Sequence, residues 1–280
     1  MSAAAAPFRA LLRLELADAL RSRWVAFTAS TYAAVFGLFV WLGLRESSVL
    51  GFTGISRVVL NLSNALVIVI PLVSLVATCQ AVVRARTSGF FELFLTQPCR
   101  ETDWYRAALA ARVLVIVGPL AVLLVGALTY GAASHETQVL PLALRSLLVA
   151  ASLTWAFVGI GFFLSSWAAT VERAIVFAVV AWLLASALHD FALIGVLLQL
   201  RLSPAAVFAL AAANPVEAAR LAILSGIDSE LSVLGPVGFW LANTLGPRVT
   251  LLLGVVWPAC VGTLAAWAGA RRLRRTDLVA

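Results

Sequence analysis

The chain contains no lysine, a single methionine at its first position, three cysteines and two histidines. Each scarcity excludes something. Without lysine there is no GxxxxGK loop to cradle a nucleotide phosphate. Cys79, Cys99 and Cys260 form no CxxC pair and imply no disulfide framework. With His135 and His189 as its only histidines, and neither HExxH nor GxSxG, the chain lacks the usual starting points for an intramembrane enzyme. Charge is scarce as well: 12% of residues are charged, while 62% are hydrophobic and mean hydropathy is +1.02.

The apolar residues gather into six runs, over 25–44, 59–83, 108–130, 142–164, 174–200 and 249–269. A hydrocarbon core ~30 Å thick needs about 20 apolar residues in a helix, and backbone groups in lipid must pair internally. The fold class is therefore an all-α membrane protein with six transmembrane helices. Pro71, Pro119 and Pro258 each interrupt a run. The first run follows an arginine-rich stretch without a small-residue cleavage site, so we expect a retained span rather than a leader.

The net charge of +7 comes from twenty arginines, gathered at the ends of the runs. That placement sets topology and argues against a nucleic-acid surface. Six spans put both termini on one side. That side carries fourteen arginines, including Arg9, Arg13, Arg84, Arg86, Arg112 and Arg271, against six on the other. The expectation is an inner-membrane protein with both termini cytoplasmic.

The chain reads as one domain, 1–280, with three segments outside the spans. Residues 8–24 form an amphipathic helix, with Phe8, Leu12, Leu16, Ala19 and Leu20 on one face, suited to the membrane interface. The alternative is a plain extension of the first span. Residues 84–107 form a cytoplasmic segment. There Ser88 can cap a short helix and Pro98 can stop it, and Thr102 caps the next helix with Asp103 in its first turn. Phe90, Phe91, Phe94 and Leu95 give the short helix a bulky apolar surface, to be covered by a partner or by lipid.

Residues 201–248 form an extracytoplasmic helical segment. Asn214 caps a helix, Pro215 takes its first position, Glu217 takes the capping-box position and Gly226 closes it. A second apolar stretch over 233–245 carries Phe239 and Trp240. In span five, His189 and Asp190 lie in otherwise apolar surroundings, where ionisable groups are costly and by default functional. They could line a path, bind a cation or set a dimer register; a structural hydrogen bond is the plainer alternative.

At Ser88-Gly89, Glu92-Leu93-Phe94-Leu95, Pro98 and Arg100-Glu101-Thr102 the chain resembles the permease subunits of type-2 ABC exporters. The resemblance implies that this segment docks on a separate ATPase, with Phe90, Phe91, Glu92, Phe94 and Arg100 as docking residues. It implies no cofactor on this chain, ATP and magnesium being held by the partner. The Phe90-Phe91 pair departs from the smaller residues usual there. Asn214, Pro215, Glu217, Arg220, Leu221, Leu224, Ser225 and Gly226 narrow the resemblance to NosY-type permeases of nitrous oxide reductase maturation, as do 16–24 and Gly51-Phe52-Thr53. That narrower resemblance implies a homodimer with two NosF-type ATPase subunits and a periplasmic NosD-type β-helical partner. Asn214, Glu217, Arg220, Leu221 and Leu224 would then form the platform for the periplasmic partner; packing on the outer leaflet is the alternative.

The cargo stays open: a sulfur species, or no solute at all, with ATP driving conformational work on the outer partner in copper–sulfur centre assembly. Copper through the spans is poorly served, because Cys79, Cys260 and His189 sit on different helices. A drug or lipid exporter is the other transporter reading.

Overall fold

The protein was analysed as a computed structural model that describes residues 5–21, 23–43, 54–94, 96–97, 99–133, 139–200, 202–226 and 235–275. The described residues are helical throughout, apart from turns and short connectors. Gly51-Phe52-Thr53, Leu95, Pro98 and His135 lie outside them.

Helix α1 (Ala5–Arg21) precedes α2 (Arg23–Gly43), α3 (Gly54–Thr78) and α4 (Ala81–Thr87). The short α5 (Phe90–Phe94) leads to the long α6 (Glu101–Ala133) and α7 (Val139–Trp167). Span five is α8 (Val171–Leu183), a π turn over Leu184–Leu188, and α9 (His189–Gln199). Then come α10 (Pro204–Ala213), α11 (Pro215–Leu224), α12 (Gly235–Thr244) and α13 (Gly246–Leu273). Five continuous stretches are long and apolar enough to cross a bilayer: Asn61–Thr87, Glu101–Ala133, Val139–Trp167, Val171–Gln199 and Gly246–Leu273. In α2 the stretch Ala26–Leu38 is apolar but shorter, and α10 with α11, bent by 117°, makes a sixth crossing only if that pair counts as one broken span. Five of the six runs of the sequence thus coincide with helices long and apolar enough to cross a bilayer, and the run over 25–44 falls on α2.

Contacts between the spans define two ends of the bundle. At the basal end, Arg272 of α13 donates to Ser166 O of α7 at 3.3 Å, and Tyr105 of α6 packs on Phe162 of α7. At the distal end, the Ser63 and Ser146 hydroxyls join α3 to α7 at 2.5 Å. Trp167 and Trp267 are exposed at the basal end, with Arg272 lying 3.8 Å over the Trp167 ring and Arg271 5.2 Å over Trp267. Exposed tryptophan beside arginine marks the headgroup level of a bilayer.

The central helix is α7. Val149, Leu153, Ala156, Val158 and Phe162 are all fully or almost fully buried by α3, α6 and α13. Small residues let α13 lie directly on it. A Cβ at Gly262 would stand 2.6 Å from the Trp155 carbonyl, and one at Gly159 would collide with the Gly262 backbone. Close backbone approach of this kind replaces the hydrophobic drive that lipid removes. Ser152 adds a hydrogen bond to the Val255 carbonyl, and Trp155 Nε1 donates to Thr263 Oγ1 at 3.0 Å. Span five is peripheral, with only 11% of its most apolar stretch buried.

Gly262→Val should separate α7 from α13. Overpacking costs about 1–3 kcal/mol, so the melting temperature of the detergent-solubilised chain should fall by several degrees, whereas Gly37→Ala, which meets open space, should leave it unchanged.

Candidate functional site

Two places break the regular packing, one at each end of α7. At the basal end the second span breaks at Cys79–Gln80 and resumes as α4. The first amides of a helix lack intrahelical partners; here Val82 N and Val83 N donate to Ser165 Oγ of α7 at 2.9 and 3.1 Å. Arg86 Nη2 donates to Ala168 O at 2.8 Å and to Ser165 O at 3.3 Å. The end of α7 therefore holds α4 by both backbone and side chain.

Ser88 closes α4, and Gly89, in the left-handed region at φ 71°, turns the chain into α5. This corrects the expectation that Ser88 begins the short helix: its hydroxyl donates back to Ala85 O at 3.4 Å, so it ends the preceding one. Helix α6 likewise starts at Glu101, one residue before the expected cap Thr102.

The five expected docking residues divide. Phe91 and Phe94 point inward, 0% and 7% exposed. Phe91 meets the Trp104 ring edge-on at 5.0 Å, and Phe90 stacks on Phe94 at 5.4 Å while touching Trp104 at 5.6 Å. The aromatic cluster thus covers itself. What faces outward is Glu92, Leu93 (76% exposed), Thr96, Gln97 and Arg100. Trp104 Nε1 donates to Glu15 Oε1 at 2.7 Å, and Arg112 Nη1 to Glu15 Oε2 at 2.8 Å. One carboxylate on α1 so anchors the aromatic cluster to α6, with Leu11 and Ala19 buried on the same helix face.

At the distal end α10 and α11 meet at 117°. Ser203 begins α10 just after span five, and α11 ends beside the start of α13. Arg145 of α7 donates from Nε to Ala222 O at 2.6 Å, and from Nη2 to Ser225 Oγ at 2.6 Å and Pro247 O at 3.3 Å. Both ends of the pair lie distally, so it is a re-entrant hairpin whose vertex is Asn214. That vertex reaches into the bundle. Asn214 Oδ1 accepts from Val216 N at 2.9 Å, as expected of a cap, and its Nδ2 donates to Ala185 O in the π turn at 2.6 Å. Trp257, eleven residues into α13, donates to Ala213 O at 3.0 Å.

The expected outer platform is therefore an inner element. Asn214 and Leu221 are buried, and Glu217, Arg220 and Leu224 are half-buried. Val216, Ala219 and Ala222 of the same helix are fully buried, and a Cβ at Gly254 of α13 would press on Ala218 O at 2.5 Å. The physical reason is the alanine-rich face of α11, small enough to wedge between α3, α7 and α13. Glu217 makes no capping box; it pairs with Arg220 at 2.7 Å. Arg220 also reaches Asp190 Oδ2 at 3.4 Å. Two carboxylates from different elements thus share one guanidinium beside the π turn. His189 sits next to it with Nε2 buried and without a hydrogen-bond partner among the described residues.

Sequence reasoning singled out Asp190, Glu217 and Arg220 separately and missed their union. It also missed Arg145, Glu15 and Ser165. Arg145 had a signal, being an arginine three residues inside an apolar run, and so did Glu15, on the apolar face of an amphipathic helix.

Among the described residues no group of three or more His, Cys, Asp or Glu side chains could hold a metal. The arrangement offers a buried hairpin, an exposed basal rim, and a rigid helix between them. No family model matches the chain. It is 27% identical over 269 residues to the probable ABC transporter permease protein NosY of Stutzerimonas stutzeri, covering 92% of each chain. It is 28% identical over 272 residues to the protein of the same name from Pseudomonas aeruginosa PAO1, covering 93% of each. Over nearly its whole length the chain is thus similar to two proteins named as probable ABC transporter permeases. The NosY-type resemblance read from its sequence holds over nearly the whole length.

Arg220→Met should leave Asp190 and Glu217 facing each other without a cation. Losing one partner of a buried pair is costly, about 3–5 kcal/mol when burial is complete and less at this half-buried site. The expected outcome is a marked drop in melting temperature, largely restored by adding Asp190→Asn and Glu217→Gln. Equal melting of single and triple variants would show that the three groups do not interact.

Proposed function

We propose that this permease couples a NosF-type ATPase, docked on the exposed basal rim, to movement of the re-entrant hairpin, in service of copper–sulfur centre assembly in nitrous oxide reductase. On this reading the basal end faces the cytoplasm, in keeping with the arginine excess there. The functional unit is a homodimer with two ATPase subunits and a NosD-type β-helical partner on the periplasmic side.

The observation that carries the proposal is the double grip of α7. Its basal end holds α4 through Ser165 and accepts Arg86; its distal end holds the hairpin through Arg145. Force applied at the basal rim reaches the hairpin through one helix packed against α13 along most of its length. Phe91, Phe94 and Trp104 make the rim stiff, so a push on Leu93 or Glu92 moves α4 and α6 together. The docking contacts themselves are Glu92, Leu93 and Arg100, with Phe90 at the edge of the cluster. Phe91 and Phe94 position them.

The chain's own ligand set supports a sulfur species, or no solute, over copper: it has no methionine in the spans, and the three cysteines lie apart, at the α3–α4 break, ahead of α6 and in α13. Conformational work on the periplasmic partner has a specific observation in its favour, because the hairpin fills the distal end of the bundle where a solute would leave. Uptake of labelled sulfide or thiosulfate by inverted vesicles holding the whole complex separates the two. ATP-dependent uptake establishes export, and ATP turnover with partner remodelling but without uptake establishes mechanical coupling.

Glu92→Arg with Leu93→Asp should weaken ATPase assembly at least about tenfold, or ~1.4 kcal/mol, while leaving the melting temperature of the chain alone. Phe94→Ala should instead destabilise the chain by about 3 kcal/mol. Full assembly of the first variant, measured by co-purification, would remove the docking assignment.

A further inference from the structure

A cavity of about 750 Å³ opens at the basal end between α1, α2, the α3–α4 break and α6. Its lining changes from apolar to charged along its depth. Its floor is Val76, Ala77, Val115 and Ile116, residues of the apolar spans. Its rim is Asp18, Arg84, Thr87 and Ser88. A space of this size, apolar below and charged above, suits an amphiphile lying along the bilayer normal.

The charges on its wall are not all paired with one another. Arg112 and Glu15 satisfy one another at 2.8 Å. That leaves Arg84 and Asp18, both exposed, with neither making an ion pair or side-chain hydrogen bond among the described residues. One unpaired cation and one unpaired anion at the mouth of one cavity complement a zwitterion. A guanidinium matches a phosphate diester and a carboxylate matches a primary ammonium. We propose that this cavity holds one phosphatidylethanolamine molecule, its phosphate on Arg84, its ammonium on Asp18 and an acyl chain over Val76 and Ile116. The lipid is a resident ligand rather than cargo. It lies against Ser88 and Phe90, so it stiffens the turn at Gly89 from which the basal rim projects. The inference is independent of what the ATPase drives.

The test is retention of lipid by the full-length protein purified in mild detergent, read by native mass spectrometry after exchange into phosphatidylethanolamine or phosphatidylglycerol. The wild type should keep about one phosphatidylethanolamine per chain and prefer it about fivefold over phosphatidylglycerol, the effect of one partly screened ion pair. Asp18→Asn should abolish that preference while keeping phosphatidylglycerol, because the rim is then purely cationic. Arg84→Gln should weaken retention of both lipids. Melting curves matching wild type confirm that the variants fold; should Arg84→Gln fail to fold, the Asp18→Asn preference alone decides. Identical retention by wild type and Asp18→Asn would overturn the proposal, since it would mean lipid held only on the apolar perimeter. So would displacement by soluble glycerophosphoethanolamine at the concentration that displaces the lipid, because the apolar floor would then contribute nothing.

Discussion

A helix interrupted inside a bilayer exposes backbone groups that no water is there to satisfy. Among the described residues, three places where a helix breaks, loosens or ends are each met by a polar side chain from another element. Ser165 accepts from the amides left free where the second span breaks. Asn214 donates to a carbonyl in the π turn of span five. Arg145 donates to the carbonyl of Ala222 near the end of the hairpin. These repairs tie elements far apart in sequence to one another. They explain why the polar side chains of so apolar a protein cluster at its two ends and at the hairpin vertex.

Two of the three repairs belong to α7, and that gives the architecture its mechanics. The helix is nearly fully buried along one face, lies against α13 through glycines, and cannot shift without carrying both attachments. The peripheral span five has little protein packing of its own. Its middle is tied to the bundle by Asn214, by the Asp190–Arg220–Glu217 group and by Trp182, whose Nε1 donates to Ile68 O at 3.5 Å. The hairpin is therefore held on one side by a rigid strut and on the other by a loosely packed helix with a π turn, which is where it can move. π turns of this kind recur at functional sites in helices.

The spans were legible from hydropathy because lipid enforces one rule on every residue of a crossing segment. The caps were partly legible. Asn214 and Pro215 begin α11 as their residue types require, whereas Ser88 ends a helix it was expected to start, because the turn at Gly89 takes precedence over a serine next to a short apolar run. The amphipathic pattern of α11 was legible, but not its location. Alanine and leucine on one face suit an interfacial helix and a buried wedge equally well; only the glycine at 254 in a distant helix decides between them. The aromatic knob shows the same limit. The phenylalanines required cover, and that cover comes from Trp104, fourteen residues beyond Phe90, rather than from a second protein. Hydropathy reports that a side chain must be covered without reporting by what.

Hydrogen exchange across the α11 backbone, in the reconstituted complex with its ATPase, tests the central claim most directly. The comparison is between nucleotide-free and ATP-trapped states, for the wild type and for Arg145→Gln. The account expects protection over 215–224 to change on trapping in the wild type. In Arg145→Gln that change should be lost or much reduced, with ATPase binding intact. A hairpin whose exchange is the same in both nucleotide states, or which responds equally without Arg145, would contradict the claim that α7 carries basal movement to the distal end.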